Sequence, residues 1–218
     1  MDLSEGENMA INLEDAQILL KEHHLLKGQF TGQKSNFEHV TYDSRQVEQD
    51  TLFFCKGNFK REYLVDAIDH GATGYVAEEK YVDDGQTSFL IVTDVQKAMA
   101  LLGAAFYGYP QNDLFVIGIT GTKGKTTSSY FAKGILDQTT AQKTALFSTV
   151  NRVVGQQPED TFKSNLTTPE SLDLFRDMRR AVDNGMTHLV MEVSSQAYKK
   201  NRVYALHYNV GIFLNISP

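Results

Sequence analysis

The sequence predicts an α/β fold in two units, over residues 1–110 and residues 111–218. Short apolar runs rich in β-branched residues alternate along the chain with stretches of helical periodicity, which is typical of sheets covered by helices. The run Gly108-Tyr109-Pro110-Gln111-Asn112 interrupts this alternation and marks the boundary. Each side then holds about 110 residues, a common size for one domain.

The first unit is predicted to mix short strands and helices. Asn12 can cap a first helix, Gly71 can end a second, and Asp94 can cap a third, because these residue types favour helix ends. The predicted strands are residues 40–42, 52–55, 73–77 and 88–92, and the second helix is residues 62–70. The first unit is therefore expected to be a small mixed α/β domain.

The second unit is predicted to contain a parallel sheet of buried strands. The apolar run 114–119 is the first strand, and a helix follows it over residues 125–137. Thr168 fits the N-cap of a later helix, with Pro169 at its first position and its end near Asp183. Further buried strands are predicted over residues 143–147, 152–154, 188–193 and 210–216, and residues 155–164 are predicted to be a polar loop.

A glycine-rich turn joins the first strand of this unit to the helix after it. Its residues are Gly121-Thr122-Lys123-Gly124-Lys125-Thr126-Thr127. Backbone N–H groups at such a turn and helix start attract phosphate, Lys125 would reach the β- and γ-phosphates, and the Thr126 hydroxyl would ligate Mg²⁺. Gly118 lies one residue too early for the strict P-loop spacing, and a purely structural glycine turn is the alternative. The turn favours nucleoside triphosphate binding in a P-loop, parallel-sheet unit.

Glu192 is a carboxylate at the carboxyl end of the apolar strand His188-Leu189-Val190-Met191-Glu192-Val193. A buried carboxylate is costly unless it is paired or bound to a metal, and strand ends in open α/β sheets carry the ligand site. Glu192 is therefore predicted to bind Mg²⁺ opposite Thr126. A partly exposed carboxylate without a ligand is the alternative.

Two pairs of polar residues give weaker signals. Ser44 and Arg45 leave a predicted strand, where they could bind a phosphate or a sugar hydroxyl, although from these residues alone a surface turn with an exposed Arg is the favoured explanation. Thr167 and Thr168 stand where hydroxyls could cap a helix or hold an anionic or sugar ligand.

Composition restricts the class of protein. The 218 residues carry a net charge of −6, which disfavours nonspecific binding to nucleic acid. Cys55 is the single cysteine, so no internal disulfide can form. The acidic, polar start does not resemble a signal peptide, and no apolar run reaches the length of about 20 residues that a membrane helix needs. A cytoplasmic protein that binds neither nucleic acid nor membrane is expected.

Several motifs in one order resemble those of the Mur ligase family. They are Asp43-Ser44-Arg45, the glycine turn, Thr167-Thr168-Pro169, Met191-Glu192-Val193-Ser194-Ser195-Gln196-Ala197-Tyr198, Asn201-Arg202-Val203-Tyr204 and Phe213-Leu214-Asn215-Ile216-Ser217-Pro218. The resemblance is greatest to the branch that adds the third amino acid to UDP-N-acetylmuramoyl-L-alanyl-D-glutamate in peptidoglycan synthesis. The glycine turn with the variant spacing is usual in this family.

The resemblance implies a role for each matching residue. Residues 121–127 would bind ATP, with Lys125 and Glu192 catalytic and with Mg²⁺ shared by Thr126 and Glu192. The first unit would be the UDP-muramoyl-binding domain and the second the start of an ATPase domain. The Ser194-Ser195-Gln196 order resembles the L-lysine-adding type. Where the diaminopimelate-adding type carries a Gln-His pair before the Arg, this sequence has Lys200-Asn201 instead. Contacts to the UDP-N-acetylmuramoyl-dipeptide substrate would come from Ser44, Arg45, Thr167, Thr168, Ser194 and Arg202.

The family has three domains, so the resemblance implies that these residues are an N-terminal fragment of a longer enzyme. That longer enzyme is expected to be a monomer. The fragment is expected to be inactive alone and to self-associate, because a sheet cut midway exposes an unpaired edge. Two other functions stay open: a binding module for UDP-sugar or nucleotide without chemistry, and an unrelated P-loop kinase.

Overall fold

The computed structural model describes residues 9–217 and divides into two compact units, one up to Phe106 and one from Tyr107. The first eight residues, on which the expectation about a signal peptide rests, lie outside the described residues, as does Pro218. Both units are mixed α/β structures with parallel strands, as predicted. The binding roles assigned to residues 1–110 and 111–218 stay predictions.

The first unit is built on a five-stranded mixed sheet in the order β2-β7-β6-β5-β4. Strands β4 to β7 run parallel to one another, and β2 pairs antiparallel with β7 at one edge. A separate antiparallel pair is formed by β1 and β3. The strands are β1 Ile11–Asn12, β2 Leu26–Phe30, β3 Asn36–Phe37, β4 His39–Thr41, β5 Thr51–Phe54, β6 Ala72–Ala77 and β7 Ser88–Val92.

Helices α1 (Leu13–Glu22), α2 (Arg61–Asp69) and α3 (Val95–Phe106) belong to the same unit. The caps predicted at Asn12 and Asp94 are present: Asn12 Oδ1 accepts the Glu14 N–H at 2.8 Å, and Asp94 Oδ1 accepts two N–H groups at 2.9 and 3.0 Å. Strand β2 was not predicted. It lies at the sheet edge, and because at most one of its faces is buried, its sequence shows little alternation of apolar and polar residues.

The second unit is built on a six-stranded sheet in the order β11-β10-β9-β12-β8-β13. Strands β9, β12, β8 and β13 are parallel, whereas β10 and β11 form an antiparallel extension. The strands are β8 Phe115–Thr120, β9 Thr144–Phe147, β10 Asn151–Val153, β11 Thr161–Lys163, β12 His188–Glu192 and β13 Val210–Phe213. The helices are α4 Lys125–Thr140, α5 Ser171–Asp183 and α6 Ser195–Lys199.

Two predictions about the strands of this unit were wrong. The polar stretch 155–164 contains strand β11, which is held by pairing with β10 and shows almost no hydrophobic signal of its own. The segment 210–216 is not a buried strand, because β13 ends at Phe213 and lies at the sheet edge. Phe213 is 66% exposed and Ile216 is 84% exposed, and within residues 9–217 no strand pairs with the outer side of β13.

The strand order determines where a ligand site can form. Because β9, β12 and β8 are adjacent and parallel, the residues that follow them meet at one edge of the sheet. Gly118 lies inside β8, and a Cβ built there would stand 2.6 Å from ring carbons of Tyr208. Gly118 is therefore a packing residue of the strand, which explains why it does not fit the spacing of a phosphate loop.

Candidate active site

The glycine turn follows β8 and leads directly into α4. Gly121 and Gly124 have φ angles of +149° and +84°, which residues with a side chain rarely adopt. Gly124 is the N-cap residue of α4 and has no side-chain capping bond. The first amide groups of a helix have no partner within it, so the start of α4 can offer its N–H groups and positive dipole end to an anion.

Lys125 folds back over this turn. Its ammonium group donates to the Gly121 carbonyl at 2.7 Å and to the Thr122 carbonyl at 3.4 Å. The positive charge therefore lies beside the amide groups at the start of α4, where phosphate oxygens would be attracted by both. That Lys125 reaches the β- and γ-phosphates stays a prediction.

Glu192 ends β12 and is fully buried, so the alternative of a partly exposed carboxylate is wrong. Its Oε1 accepts the backbone N–H of Thr149 at 2.9 Å. Its Oε2 accepts hydroxyls from Thr126 at 3.1 Å and from Thr149 at 3.0 Å. No cation is among the partners of this carboxylate in the described part of the chain, although a buried carboxylate is normally neutralised by one.

The oxygen atoms around Glu192 suit Mg²⁺. A carboxylate with hydroxyl neighbours is the ligand type that Mg²⁺ prefers, and this ion usually keeps several waters and is held by one or two protein carboxylates together with phosphates. Residues 9–217 contain no cluster of three or more His, Cys, Asp or Glu side chains that could enclose a metal. The site therefore fits a metal that arrives with a phosphate ligand. The metal role of Thr126 and Glu192 stays a prediction.

Thr168 and Ser194 lie next to Glu192. Thr168 is fully buried, and its hydroxyl donates to the Glu192 carbonyl and accepts the Ser194 N–H, each at 3.0 Å. The prediction that Thr168 caps α5 was wrong: α5 begins at Ser171, and Thr168 is instead tied to the end of β12. Ser194 caps α6 by accepting the Ala197 N–H at 3.2 Å.

Arg202 fixes the segment that carries the threonine pair. Its guanidinium is buried and donates to the Thr168 carbonyl at 3.2 Å and to Glu170 Oε1 at 2.6 Å. The Thr167 hydroxyl lies 3.0 Å from the Thr149 hydroxyl, within hydrogen-bond distance. The structure thus brings Thr126, Thr167, Thr168, Ser194 and Arg202 together around Glu192. Their contacts to a substrate stay predictions.

Ser44 and Arg45 belong to the first unit, where they form a short helical turn after β4. The exposed Arg45 donates to both carboxylate oxygens of Asp43, at 2.8 and 2.6 Å, and these hydrogen bonds hold the pKa of Asp43 below its ordinary value. Both residues line a cleft of about 450 Å³ that Lys56 and Phe59 also line. Cavities of this size suit small ligands, and the cleft combines cationic and aromatic side chains.

Asn215 is a site residue that sequence reasoning did not single out. Its Oδ1 accepts the Lys123 N–H and its amide donates to the Lys123 carbonyl, both at 3.1 Å. Its own carbonyl accepts the Thr122 N–H, also at 3.1 Å. Asn215 thus fixes the turn and occupies two of its amide groups, which leaves the donors at the start of α4 for a ligand. The signals for it were its place in the motif over residues 213–218 and its position just after a buried-strand pattern.

Replacing Asn215 with Ala is expected to weaken nucleotide binding about tenfold, because the turn loses two side-chain hydrogen bonds worth about 0.5–1.5 kcal/mol each. Calorimetric titration with a Mg-bound, non-hydrolysable ATP analogue measures the effect. Asn209→Ala would be a poor control, because Asn209 Oδ1 accepts the Val116 N–H in β8. Asn112, which is exposed and belongs to the same unit, is the better control. Equal nucleotide affinity of Asn215→Ala and the parent chain would contradict the role of Asn215 in fixing the glycine turn.

Comparison with known proteins shows which protein family this chain resembles. Residues 119–218 match the Mur ligase middle domain. The chain is 66% identical over 210 residues to the UDP-N-acetylmuramyl-tripeptide synthetase of Ligilactobacillus salivarius, covering 96% of this chain and 41% of that protein. It is 63% identical over 212 residues to the protein of the same name from Latilactobacillus sakei, with the same coverage.

A solved structure of UDP-N-acetylmuramoyl-L-alanyl-D-glutamate--2,6-diaminopimelate ligase has the same fold. It superposes with a TM-score of 0.75 at 21% identity, over 96% of this chain and 41% of that one. The chain thus spans about two-fifths of the length of the relatives it matches. Among the helices of residues 9–217, none combines the length and the apolar character that crossing a bilayer requires.

Proposed function

Since this chain belongs to the Mur ligase family, we propose that it forms part of a tripeptide synthetase, an ATP-dependent ligase of peptidoglycan synthesis. The enzyme would join an amino acid to UDP-N-acetylmuramoyl-L-alanyl-D-glutamate. One observation carries the proposal: a fully buried carboxylate, Glu192, accepts the hydroxyl of Thr126 at the start of the helix that follows the glycine turn.

The second unit would hold Mg-ATP. Amide groups at the start of α4 and the Lys125 ammonium would bind phosphate oxygens, and Thr126 with Glu192 would hold the metal. When bound, Mg-ATP would supply the γ-phosphoryl group that turns the glutamyl carboxylate into an acyl phosphate with release of ADP, and the incoming amine would then displace inorganic phosphate to form the amide. The contribution of the chain is positioning and charge neutralisation: Lys125 offsets phosphate charge, and Asn215 keeps the turn in one conformation.

Each unit contains residues that we propose for the UDP-linked substrate. Ser44 and Arg45 would bind the UDP part at the cleft of the first unit, where Lys56 lies 4.2 Å from the ring centre of Tyr42. Thr167, Thr168, Ser194 and Arg202 would hold the muramoyl part. Arg202 is already paired with Glu170, so its role toward this substrate would include fixing the Thr167–Thr168 segment.

L-lysine is the amino acid that we propose, because Ser194-Ser195-Gln196 resembles the lysine-adding type. The names of the curated relatives do not state which amino acid they add. Comparing incorporation of labelled L-lysine and diaminopimelate by the longer enzyme tests this point. Preferred use of diaminopimelate would refute it.

We also propose that the 218-residue chain is cytoplasmic, that it forms no tripeptide by itself, and that the longer enzyme is monomeric. Self-association of the isolated chain is supported by the open edge at β13 with its exposed Phe213. Light scattering at high concentration tests self-association, and tripeptide formation by the purified chain would refute the claim of inactivity.

The binding function is tested by titrating the chain with UDP-N-acetylmuramoyl-L-alanyl-D-glutamate and with a Mg-bound, non-hydrolysable ATP analogue. Lys125→Ala is expected to weaken only the nucleotide, about 10- to 100-fold, because it removes a hydrogen bond from a charged group. Ser44→Ala is expected to weaken only the UDP-linked ligand. Nucleotide binding alone would remove the UDP-binding role proposed for the first unit, and binding of neither ligand would refute the proposal.

A further inference from the structure

Thr149 makes contacts to two groups of site residues that are otherwise assigned to different ligands. It follows β9, which ends at Phe147, at the same sheet edge as the ends of β8 and β12. Its hydroxyl lies 3.0 Å from Glu192 Oε2 and 3.0 Å from the Thr167 hydroxyl. Its N–H donates to Glu192 Oε1 at 2.9 Å.

We propose that Thr149 is a positioning residue that orients the metal-binding carboxylate of Glu192 and couples it to the substrate-binding segment at Thr167. The proposal rests on the proposed function and adds a residue to it. Thr149 contacts the groups that would bind the metal and the muramoyl substrate and acts through them.

The hydrogen-bond directions around Thr149 follow from counting protons. A hydroxyl has one proton to donate and can accept, whereas a carboxylate only accepts. The Thr149 proton therefore goes to Glu192, and the Thr149 oxygen accepts the proton of Thr167. This gives a directed chain from Thr167 through Thr149 to Glu192, in which each bond strengthens the next.

The turn that carries Thr149 is rigidly built. Ser148 is buried, and its hydroxyl donates to the Asn151 carbonyl at 2.9 Å while it accepts the N–H groups of Val150 and Asn151 at 3.2 and 3.1 Å. The Ser148 N–H also donates to the Asn151 carbonyl at 3.0 Å. Thr149 itself is exposed, so a fixed backbone presents its hydroxyl at the surface of the site.

This arrangement matters most when a metal is bound. The Thr126 hydroxyl would then bind the metal through a lone pair of its oxygen, whereas Thr149 bonds the carboxylate without itself being a metal ligand. Thr149 would remain as the group that holds both carboxylate oxygens through its hydroxyl and its N–H. Groups that hydrogen-bond a metal ligand typically change metal affinity 10- to 100-fold when they are removed.

The test is a titration of the 218-residue chain with Mn²⁺, followed by electron paramagnetic resonance, in the presence of a non-hydrolysable ATP analogue. Thr149→Val keeps the shape and the backbone N–H but removes the hydroxyl, and it is expected to weaken Mn²⁺ binding about 10- to 100-fold. Thr149→Ser restores the hydroxyl and is expected to stay within about threefold of the parent chain. Thr139→Val is the matched control, because its hydroxyl bonds only within α4, to the Leu136 carbonyl at 3.0 Å.

A second variant tests whether Thr149 couples Glu192 to the substrate-binding segment at Thr167. Thr167→Val keeps the bond from Thr149 to Glu192 and removes the one from Thr167. It is expected to leave Mn²⁺ affinity within about threefold of the parent while reducing the effect of bound Mn-nucleotide on affinity for the UDP-linked substrate. A melting curve of each variant without ligand separates these effects from loss of folding.

The outcomes distinguish this inference from the proposed function. If the parent chain binds neither Mn²⁺ nor the nucleotide analogue, the proposed function fails. If the parent binds both and Thr149→Val binds Mn²⁺ equally well, the positioning role of Thr149 is overturned. If Thr149→Ser binds Mn²⁺ as weakly as Thr149→Val, the hydroxyl is not the group that matters. This result would also overturn the positioning role of Thr149.

Discussion

Replacing Glu192 with Gln will remove metal-dependent nucleotide binding and leave the chain folded. Gln has the same shape, and its oxygen can still accept the Thr149 N–H that Glu192 Oε1 accepts at 2.9 Å. Its amide group can donate to the hydroxyls of Thr126 and Thr149, which reverse their direction. A neutral amide is a poor ligand for Mg²⁺ in the place of a carboxylate.

We expect Mg²⁺-dependent affinity for the ATP analogue to fall at least about 100-fold, or about 2.7 kcal/mol. The free energy of unfolding without metal should stay within about 1 kcal/mol of that of the parent chain. The variant loses the cost of burying a charge, but it also loses the stronger hydrogen bonds that the charge accepts. Calorimetric titration and urea unfolding measure the two quantities. Glu159→Gln, an exposed glutamate of the same unit, is the control. Unchanged metal dependence in Glu192→Gln would remove Glu192 from the site.

Replacing Asp177 with Ala will destabilise the second unit by about 3–5 kcal/mol, the usual effect of leaving one member of a buried ion pair alone. Asp177 on α5 pairs with Arg152 on β10, and the side chains are 4% and 9% exposed. Arg176 also donates to Asp177 at 3.3 Å. Arg152 Nε is already buried without a partner, so loss of Asp177 leaves this guanidinium poorly compensated.

The change in stability is measured by urea unfolding, with hydrogen exchange of the β10 and α5 amides to assign it to the second unit. Asp183→Ala on the same helix is the matched control. Asp183 pairs with Arg179 at 2.9 Å but is 63% exposed, so its loss should cost less than about 1 kcal/mol. The double change of Arg152 to Met and Asp177 to Leu should recover most of the lost stability. Equal effects of Asp177→Ala and Asp183→Ala would contradict the argument.

Sequence patterns predicted the elements whose signals are local. The buried strands β8 and β12 are visible as apolar runs, and the glycine turn with Lys125 has a fixed spacing. The meeting of Thr126 with Glu192 followed from the rule that parallel strands end at one edge of the sheet. Strands β2 and β11 were missed because partner strands hold them and their own residues carry little pattern.

The contacts that could not be predicted join distant parts of the chain. Thr149 reaches Glu192 across 43 residues, and Asn215 reaches Lys123 across 92 residues. Nothing in the local sequence of a turn states which strand end will lie beside it. Thr168 shows the converse, since a residue well suited to capping α5 makes its hydrogen bonds to β12 instead.

The distance along the chain between Lys123 and Asn215 has a consequence for biosynthesis. A ribosome that adds about 5–20 residues per second needs on the order of 5–20 s to make the 92 residues between them. During that interval the glycine turn exists in the nascent polypeptide without the asparagine that holds it. We therefore expect the emerging chain to gain about the last tenfold of its affinity for nucleotide late, when the segment after β13 leaves the exit tunnel.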